Sequence, residues 1–274
     1  MLAFAANSLL CRAALTGPEA DAAGFTLVRI GSGSLVLMLI WLGRRTESRS
    51  AVRGSWLSSA MLLLYAAAFS FAYLELPAGT GALLLFGAVQ VTMIFGALLA
   101  GERLRMMQWL GILLAFGGMI YLLLPGVEAP PVGSALIMLL SGLGWGVYSL
   151  RGKKVADPLA ETAWNFLRAL PAALILFIAV NGLSGDLSQE AFLLAIVSGA
   201  ITSGLGYAIW YAVLPSLPSS QASVVQLSVP VLAAFAGWLL LGESLTGRLL
   251  WSSTMVLGGI LLVIKFGQGS RQDG

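Results

Sequence analysis

The chain has 274 residues, of which 58% are hydrophobic and only 10% are charged, and its mean hydropathy is +0.92. This composition lies well outside that of water-soluble domains and predicts a polytopic membrane protein. Histidine is absent and Cys11 is the single cysteine, which excludes disulfide frameworks and His/Cys metal sites, so no metal or other cofactor is expected. The net charge of +3 indicates no nucleic-acid surface.

Apolar stretches that suit membrane-spanning helices follow one another along the chain, separated by short clusters of Gly, Pro, Ser and charged residues. They predict about ten helices, near residues 1–15, 21–42, 55–74, 79–99, 106–124, 131–151, 158–180, 189–213, 219–240 and 247–266. The first stretch has no basic region ahead of its apolar run, so we expect a membrane helix rather than a signal peptide. The runs lack the alternation of membrane barrel strands, and the predicted fold class is therefore all-α.

The distribution of Lys and Arg predicts the orientation in the membrane. Basic residues concentrate after predicted helices 2, 4, 6 and 10, at Arg44, Arg45, Arg49, Arg53, Arg103, Arg105, Arg151, Lys153, Lys154, Lys265 and Arg271. On the opposite side are only Arg12 and Arg248. We therefore expect a multi-pass protein of a bacterial inner membrane with both termini in the cytoplasm.

The sequence "GERLRMMQWLGILLAFGGMIYLLL" at 101–124 reappears in similar form as "GESLTGRLLWSSTMVLGGILLVIK" at 242–265. The same register pairs Phe4 with Trp145, and a shift of two pairs Arg29 with Arg168. Each half holds five predicted helices, so the second half must cross the membrane in the opposite sense. The sequence thus predicts two inverted five-helix repeats, 1–124 and 131–266, and a short polar tail at 267–274, an organisation typical of secondary transporters.

These two segments, with "VPVLAAFAGWLLL" ahead of the second, resemble the two copies of the EamA-type domain of the drug/metabolite transporter superfamily. The resemblance runs over essentially the whole chain. It implies a ten-helix fold, alternating access and efflux of metabolites, with exporters of aromatic amino acids among its members. It also implies a central cavity lined by helices 1, 3, 4, 6, 8 and 9. The family pattern has a proline in helices 4 and 9, but here only Pro230 is present, and Val89 takes the equivalent place in helix 4.

Polar and aromatic side chains at membrane depth are candidates for the substrate site, because they are costly there unless they meet a partner or a cavity. Helical spacing places Asn7 on one face of helix 1 with Phe4, and Trp145 with Tyr148 on one face of helix 6. The predicted substrate-binding residues are Asn7, Tyr65, Gln90, Trp145, Tyr148, Tyr207 and Gln226. The alternative is that these groups only pack helices together or form interfacial belts.

Several further residues carry expectations. Pro230 should bend helix 9 and free a backbone carbonyl near Gln226, and Glu75, at the end of helix 3, is a candidate for proton coupling. Arg29 and Arg168 are expected to snorkel to the surface in a structural role. Glu102 and Glu243 are expected to stabilise the starts of helices 5 and 10. The small residues Gly117, Gly118, Gly258 and Gly259 should allow close helix packing, within the chain or in a homodimer.

The sequence favours a secondary transporter that exports a small, partly apolar metabolite, such as an amino acid, through an aromatic and amide-lined cavity. Efflux of lipophilic cations is the alternative transport function, although that chemistry favours a buried carboxylate and none falls clearly in the middle of a helix. A purely structural membrane subunit is a further alternative. An intramembrane hydrolase is disfavoured, since there is no His and every Lys lies at a predicted helix edge.

Overall fold

A computed structural model describes residues 1–17, 20–44, 53–99, 101, 104–152, 155–182, 185, 187–213 and 226–267. Within these ranges the regular structure is helical. The helices are α1 Leu2–Ala14, α2 Ala22–Gly43, α3 Trp56–Ala72, α4 Ala78–Leu99, α5 Met106–Leu123, α6 Val132–Gly152, α7 Pro158–Asn181, α8 Gln189–Val197, α9 Gly206–Val213, α10 Ser228–Leu241 and α11 Gly247–Gly267. A π-helical segment, Ser198–Leu205, joins α8 directly to α9.

The surface and the interior have the polarity expected of a protein dissolved in lipid. Large apolar side chains such as Leu113, Leu240 and Trp251 are exposed, while polar side chains such as Thr26 and Asn165 are fully buried. Within the described residues, seven segments are long and apolar enough to cross a membrane: Ala22–Gly43, Ala78–Gly96, Met106–Leu123, Val132–Gly152, Pro158–Asn181, Gln189–Trp210 and Gly247–Phe266. Leu2–Ala14, Trp56–Ala72 and Ser228–Leu241 are shorter apolar helices. The chain is therefore an all-α membrane protein.

Short polar residues begin several helices where the sequence breaks its apolar runs. The side chain of Asp21 accepts a hydrogen bond from the backbone N–H of Gly24 at 2.8 Å, and Asp157 accepts one from Ala160 at 3.1 Å. Ser188 caps α8 in the same way. Each cap satisfies a backbone donor that the first turn of a helix leaves free, which fixes the start of the helix.

Glycines allow α5 and α11 to approach each other backbone to backbone. A Cβ atom built on Gly259 would lie 2.4 Å from the carbonyl oxygen of Gly111, and one on Gly118 would lie 2.7 Å from Cβ of Met255. Nothing lies within 4 Å of the corresponding position on Gly258, and Gly117 has one ordinary contact, with the end of Met255. The expected close packing therefore rests on one glycine of each pair.

The glycines of the two "GE" turns share a backbone conformation, and the structure describes the glutamate side chain of the second turn. Gly101 and Gly242 both adopt positive φ, 87° and 67°, which glycine tolerates without strain. The prediction that Glu243 stabilises the start of the last helix is wrong, since the Thr246 hydroxyl caps α11 instead. Glu243 accepts a hydrogen bond from the backbone N–H of Ala78 at 2.8 Å, at the start of α4. Glu102 lies outside the described residues.

The helix predicted over 219–240 begins at Ser228 in the described part of the chain, and residues 214–225 lie outside it. Pro230 lies in the first turn of α10, and the helical run breaks just ahead of it, since Gln226 is helical and Leu227 is not. A proline ring clashes with the carbonyl of the residue four positions before it, here Gln226, so a break at this place is what a proline causes. That the break frees a carbonyl near Gln226 stays a prediction.

Candidate functional site

An aromatic cluster lies where α1, α3, α6 and α9 meet. The ring centre of Trp145 is 4.9 Å from that of Tyr65 and 5.0 Å from that of Tyr207. Phe4 packs against two of these rings, with its ring centre 6.4 Å from that of Trp145 and 5.8 Å from that of Tyr207. Phe69 extends the cluster along α3. Rings at these separations and angles attract one another beyond simple burial.

Asn7 is the polar centre of this cluster. Its amide nitrogen donates to the hydroxyl of Tyr65 at 3.4 Å, and its Oδ1 accepts a hydrogen bond from the Ser198 hydroxyl at 2.6 Å. The hydroxyl of Thr202 lies 3.1 Å from the same oxygen. Side chains from α3 and from the segment that follows α8 thus hold the amide, and these hydrogen bonds fix its orientation within α1.

The π-helical segment Ser198–Leu205 carries those hydroxyls. Ser198 and Thr202 are four residues apart, the spacing that places two side chains on one helical face, and both are buried, as is Ser203. Gly199 allows the segment to lie against α2, because a Cβ there would be 2.2 Å from the carbonyl oxygen of Arg29. Such π segments are common at functional sites.

Arg29 lies directly behind the aromatic cluster. Its Nη2 donates to the Tyr65 hydroxyl at 2.8 Å and its Nε to the Ser203 hydroxyl at 3.3 Å. The guanidinium carbon is 5.1 Å from the ring centre of Tyr65 and 4.9 Å from that of Phe69. The side chain is only 1% exposed, so the prediction that it snorkels to the surface is wrong. Its register partner Arg168 is half-buried and stacks on Trp56.

A small cavity of about 20 Å³ lies at the centre of the cluster. Its walls comprise Phe4, Asn7, Tyr65, Phe69, Leu85, Phe86, Trp145 and Tyr207. Four of the predicted substrate-binding residues therefore share one cavity, although they come from four helices. The volume suits about one water molecule, so a metabolite enters only if the rings move apart. Tyr148 stacks on Trp145 just outside these walls and donates to the hydroxyl of Thr162 at 3.1 Å.

Gln90 lies in a different and larger cavity, of about 290 Å³, between α4, α5 and α11. The cavity is lined by Gly87, Gln90, Val91, Ile94, Phe95, Leu98, Trp109, Ile112, Ala115, Phe116, Ile260 and Val263. Gln90 and Trp109 supply its only polar side-chain groups. A binding site combines apolar walls with several convergent polar groups, and the aromatic cavity around Asn7 meets that description better despite its smaller volume.

Three other predicted residues lie apart from both cavities. Gln226 is helical and half-buried one residue before the N-cap of α10, and it shares no hydrogen bond with Gln90. Glu75 is exposed in the turn after α3 and accepts a hydrogen bond from the Ser134 hydroxyl. Pro230 is buried in the first turn of α10.

Comparison with known proteins places the chain in a family. The model of the EamA-like transporter family matches residues 1–124 and again residues 133–265, which together make up most of the chain. The chain belongs to the EamA-like transporter family. It is therefore a membrane transporter, and the resemblance seen in the two "GE" segments is confirmed.

This EamA protein is also similar to several individual proteins. An uncharacterized protein of Pseudomonas aeruginosa is 54% identical and aligns with 99% of this chain and 95% of its own. A "probable amino-acid metabolite efflux pump" of Salmonella typhimurium is 25% identical over 68% of this chain and 67% of its own. A solved crystal structure matches 96% of this chain and 93% of its own with a TM-score of 0.66, and its 19% identity makes it a likeness of fold.

Sequence reasoning missed several residues of the cluster in this EamA transporter. Ser198 and Thr202 share a helical face, but small hydroxyl residues are common where membrane helices pack, so the sequence does not mark them as partners of Asn7. Arg29 did carry a signal, since a charge within an apolar run is unusual. Its distance from the helix end suggested snorkelling, but its contacts with Tyr65 hold it inside the bundle.

Proposed function

We propose that this EamA transporter exports small metabolites with an amino-acid character, aromatic ones among them, through the cavity around Asn7. The observation that carries the proposal is the convergence of Asn7, Tyr65, Trp145 and Tyr207, from α1, α3, α6 and α9, on one cavity. Aromatic walls suit an apolar side chain, while the amide and hydroxyl of Asn7 and Tyr65 suit the polar end of the substrate. The efflux pump named for amino-acid metabolites supports this substrate class.

Transport would proceed by alternating access between two inverted repeats, 1–124 and 131–266. The three shorter apolar helices, α1, α3 and α10, would join the seven longer spans to make ten. Two observations support the repeat: the register that pairs Phe4 with Trp145, whose rings lie in contact, and the positive φ at both Gly101 and Gly242. The skew of basic residues supports cytoplasmic termini in a bacterial inner membrane.

The experiment that tests the proposal measures flux of labelled amino acids into proteoliposomes that contain the purified protein, with and without a proton gradient. The panel holds leucine, phenylalanine, tryptophan and threonine beside one lipophilic cation, tetraphenylphosphonium. We expect saturable amino-acid flux above that of protein-free liposomes, with the aromatic substrates fastest. The dependence on the gradient tests whether protons drive the cycle.

A matched pair of variants ties the flux to the cavity. Trp145→Ala removes the ring that contacts both Tyr65 and Tyr207. We expect at least a tenfold loss of kcat/KM, because aromatic contact with the substrate, worth about 1–1.5 kcal/mol, is lost together with the packing of the ring. Trp251→Ala changes an exposed tryptophan of α11 and should transport normally. Flux of tetraphenylphosphonium alone would overturn the metabolite proposal in favour of cation efflux. Equal flux in both variants would show that Trp145 is not part of the substrate site.

A further inference from the structure

Arg29 has a buried donor that the protein does not use. Its Nε and Nη2 donate to Ser203 and Tyr65, but its Nη1 is buried without a hydrogen-bond partner in the described part of the chain. The ion pairs among the described residues are Arg12 with Glu243 and Arg44 with Asp157, so no described carboxylate neutralises Arg29. Unpaired charge in a membrane interior is costly, and such groups usually serve a substrate.

The guanidinium is adjacent to the cavity. It stacks on Tyr65 and Phe69, both of which also line the cavity. The Tyr65 hydroxyl joins the two regions, because it accepts from Arg29 and from Asn7. A shift of the Tyr65 ring that admitted a substrate would therefore also expose the guanidinium to it.

We propose that Arg29 binds the carboxylate of the transported metabolite, an inference that rests on the export function proposed above. The planar guanidinium offers paired N–H donors that match the two oxygens of a carboxylate. On entry, a carboxylate oxygen would take over Nη2 from the Tyr65 hydroxyl, and the second oxygen would give Nη1 the acceptor it lacks. The apolar side chain would lie against the faces of Trp145 and Tyr207, and the amino group, on the carbon next to the carboxylate, would lie near Asn7 and the Tyr65 hydroxyl.

A purely structural role for Arg29 is the competing explanation, since its hydrogen bonds tie α2 to α3 and to the π segment. Such a tie would need no charge, and two neutral donors would serve the Tyr65 and Ser203 hydroxyls equally well. The register partner Arg168 stacks on Trp56 and does not line the cavity, so the position behind the cavity is particular to Arg29. The two explanations differ in what they predict for substrates that lack a carboxylate.

The test compares each amino acid with its own amide, which keeps the side chain and the amino group but removes the negative charge. Flux of leucine, leucinamide, phenylalanine and phenylalaninamide is measured in proteoliposomes that contain the unaltered protein, Arg29→Gln, Arg29→Lys or the control Arg168→Gln. Thermal unfolding of each purified variant is recorded alongside. We expect the unaltered protein and Arg168→Gln to prefer the acid over the amide by at least about tenfold in kcat/KM.

In Arg29→Gln the preference should fall to about one, chiefly through a higher KM for the acid, while Arg29→Lys retains part of it. If the unaltered protein moves acid and amide equally well, or if Arg29→Gln keeps the full preference, the inference is overturned although export itself stands. If the unaltered protein moves neither, the proposed function fails and the inference with it. If Arg29→Gln does not fold, the comparison is between the unaltered protein and Arg29→Lys. A weaker preference for the acid over the amide in Arg29→Lys then supports the inference, and an unchanged preference overturns it.

Discussion

Tyr65 connects more of the candidate site than any other side chain described here. Its hydroxyl accepts hydrogen bonds from Arg29 and Asn7, its ring contacts Trp145 and Phe69, and its backbone carbonyl accepts from the Ser141 hydroxyl at 2.9 Å. One residue of α3 therefore contacts three other helices, α1, α2 and α6. Its removal leaves a buried guanidinium with one acceptor fewer, which is costlier than the loss of an ordinary hydrogen bond.

Tyr65→Phe isolates the contribution of the hydroxyl, because the ring and its packing remain. We expect a destabilisation of about 2 kcal/mol, the usual cost of losing a hydrogen bond to a charged group in a buried site. Thermal unfolding in detergent measures it. Tyr121→Phe is the matched control, since Tyr121 is exposed on α5, and that change should leave the unfolding temperature nearly unaltered. Equal unfolding temperatures for both variants would show that the Arg29 bond contributes little.

At this scale the sequence predicts residue types better than their arrangement. Asn7, Tyr65, Trp145 and Tyr207 stand out because polar and aromatic groups are costly or unusual in apolar helices, and the structure brings them together. Gln90 stands out for the same reason, yet it lies in another cavity, because a single helical face does not reveal which neighbour it meets. Whether either cavity binds substrate stays a prediction.

Among the helices, small residues decide how closely neighbours approach. Gly259 of α11 meets the backbone of α5 at Gly111 and Ala115, whereas the adjacent Gly258 meets nothing. Helix pairs in membranes depend on such contacts, because lipid provides little hydrophobic driving force for their association. The sequence marks both glycines alike, and only the packing separates them.

Gly259→Ala should therefore destabilise the protein while Gly258→Ala does not. The added methyl group would overlap the Gly111 carbonyl oxygen at 2.4 Å and the Ala115 nitrogen at 2.7 Å, so α5 and α11 must separate. Overpacking of this kind costs about 1–3 kcal/mol. Unfolding temperatures of the two variants provide the measurement, and Gly258→Ala shares the same change in helix propensity. A similar loss in both would mean that helix propensity, not packing, is responsible.

The order and extent of the helices follow largely from apolar length, polar caps and breaks, because the membrane requires each spanning backbone to satisfy itself. The predicted segment 106–124 corresponds closely to α5, Met106–Leu123, and 158–180 to α7, Pro158–Asn181. The π segment within 189–213 could not be predicted, because its Gly, Ser and Thr residues also occur in ordinary membrane helices that pack closely. The same is true of Glu243, whose partner Ala78 is distant in sequence.

In the whole molecule, the two ends of the bundle are each held by an ion pair. At one end Arg12 pairs with Glu243 at 3.2 Å and donates to the carbonyl oxygens of Tyr73 and Leu74, each at 2.9 Å. These bonds join α1, the turn after α3 and the turn before α11. At the other end Arg44 pairs with Asp157 at 2.9 Å. Alternating access would require the first group of contacts to open when the site is exposed on that side.

Cys11 reports directly on that opening. It is the only cysteine of the chain, it is fully buried, and it precedes Arg12 on α1. Glu243→Gln keeps an oxygen for the Ala78 N–H but removes the charge that holds Arg12. Both side chains are largely buried, 17% and 16% exposed, so we expect a shift of about 1.4 kcal/mol toward the open state. Maleimide would then label Cys11 about tenfold faster.

Asp157→Asn is the matched control for this experiment, because it makes the same change in the ion pair at the opposite end and keeps a capping side chain at the start of α7. It should leave the labelling rate of Cys11 unchanged. Equal acceleration in both variants would indicate general loosening of the bundle, and no acceleration in Glu243→Gln would show that the ion pair does not hold this end closed. Acceleration confined to Glu243→Gln would show that the contacts of the Arg12 side chain keep this end of the bundle closed.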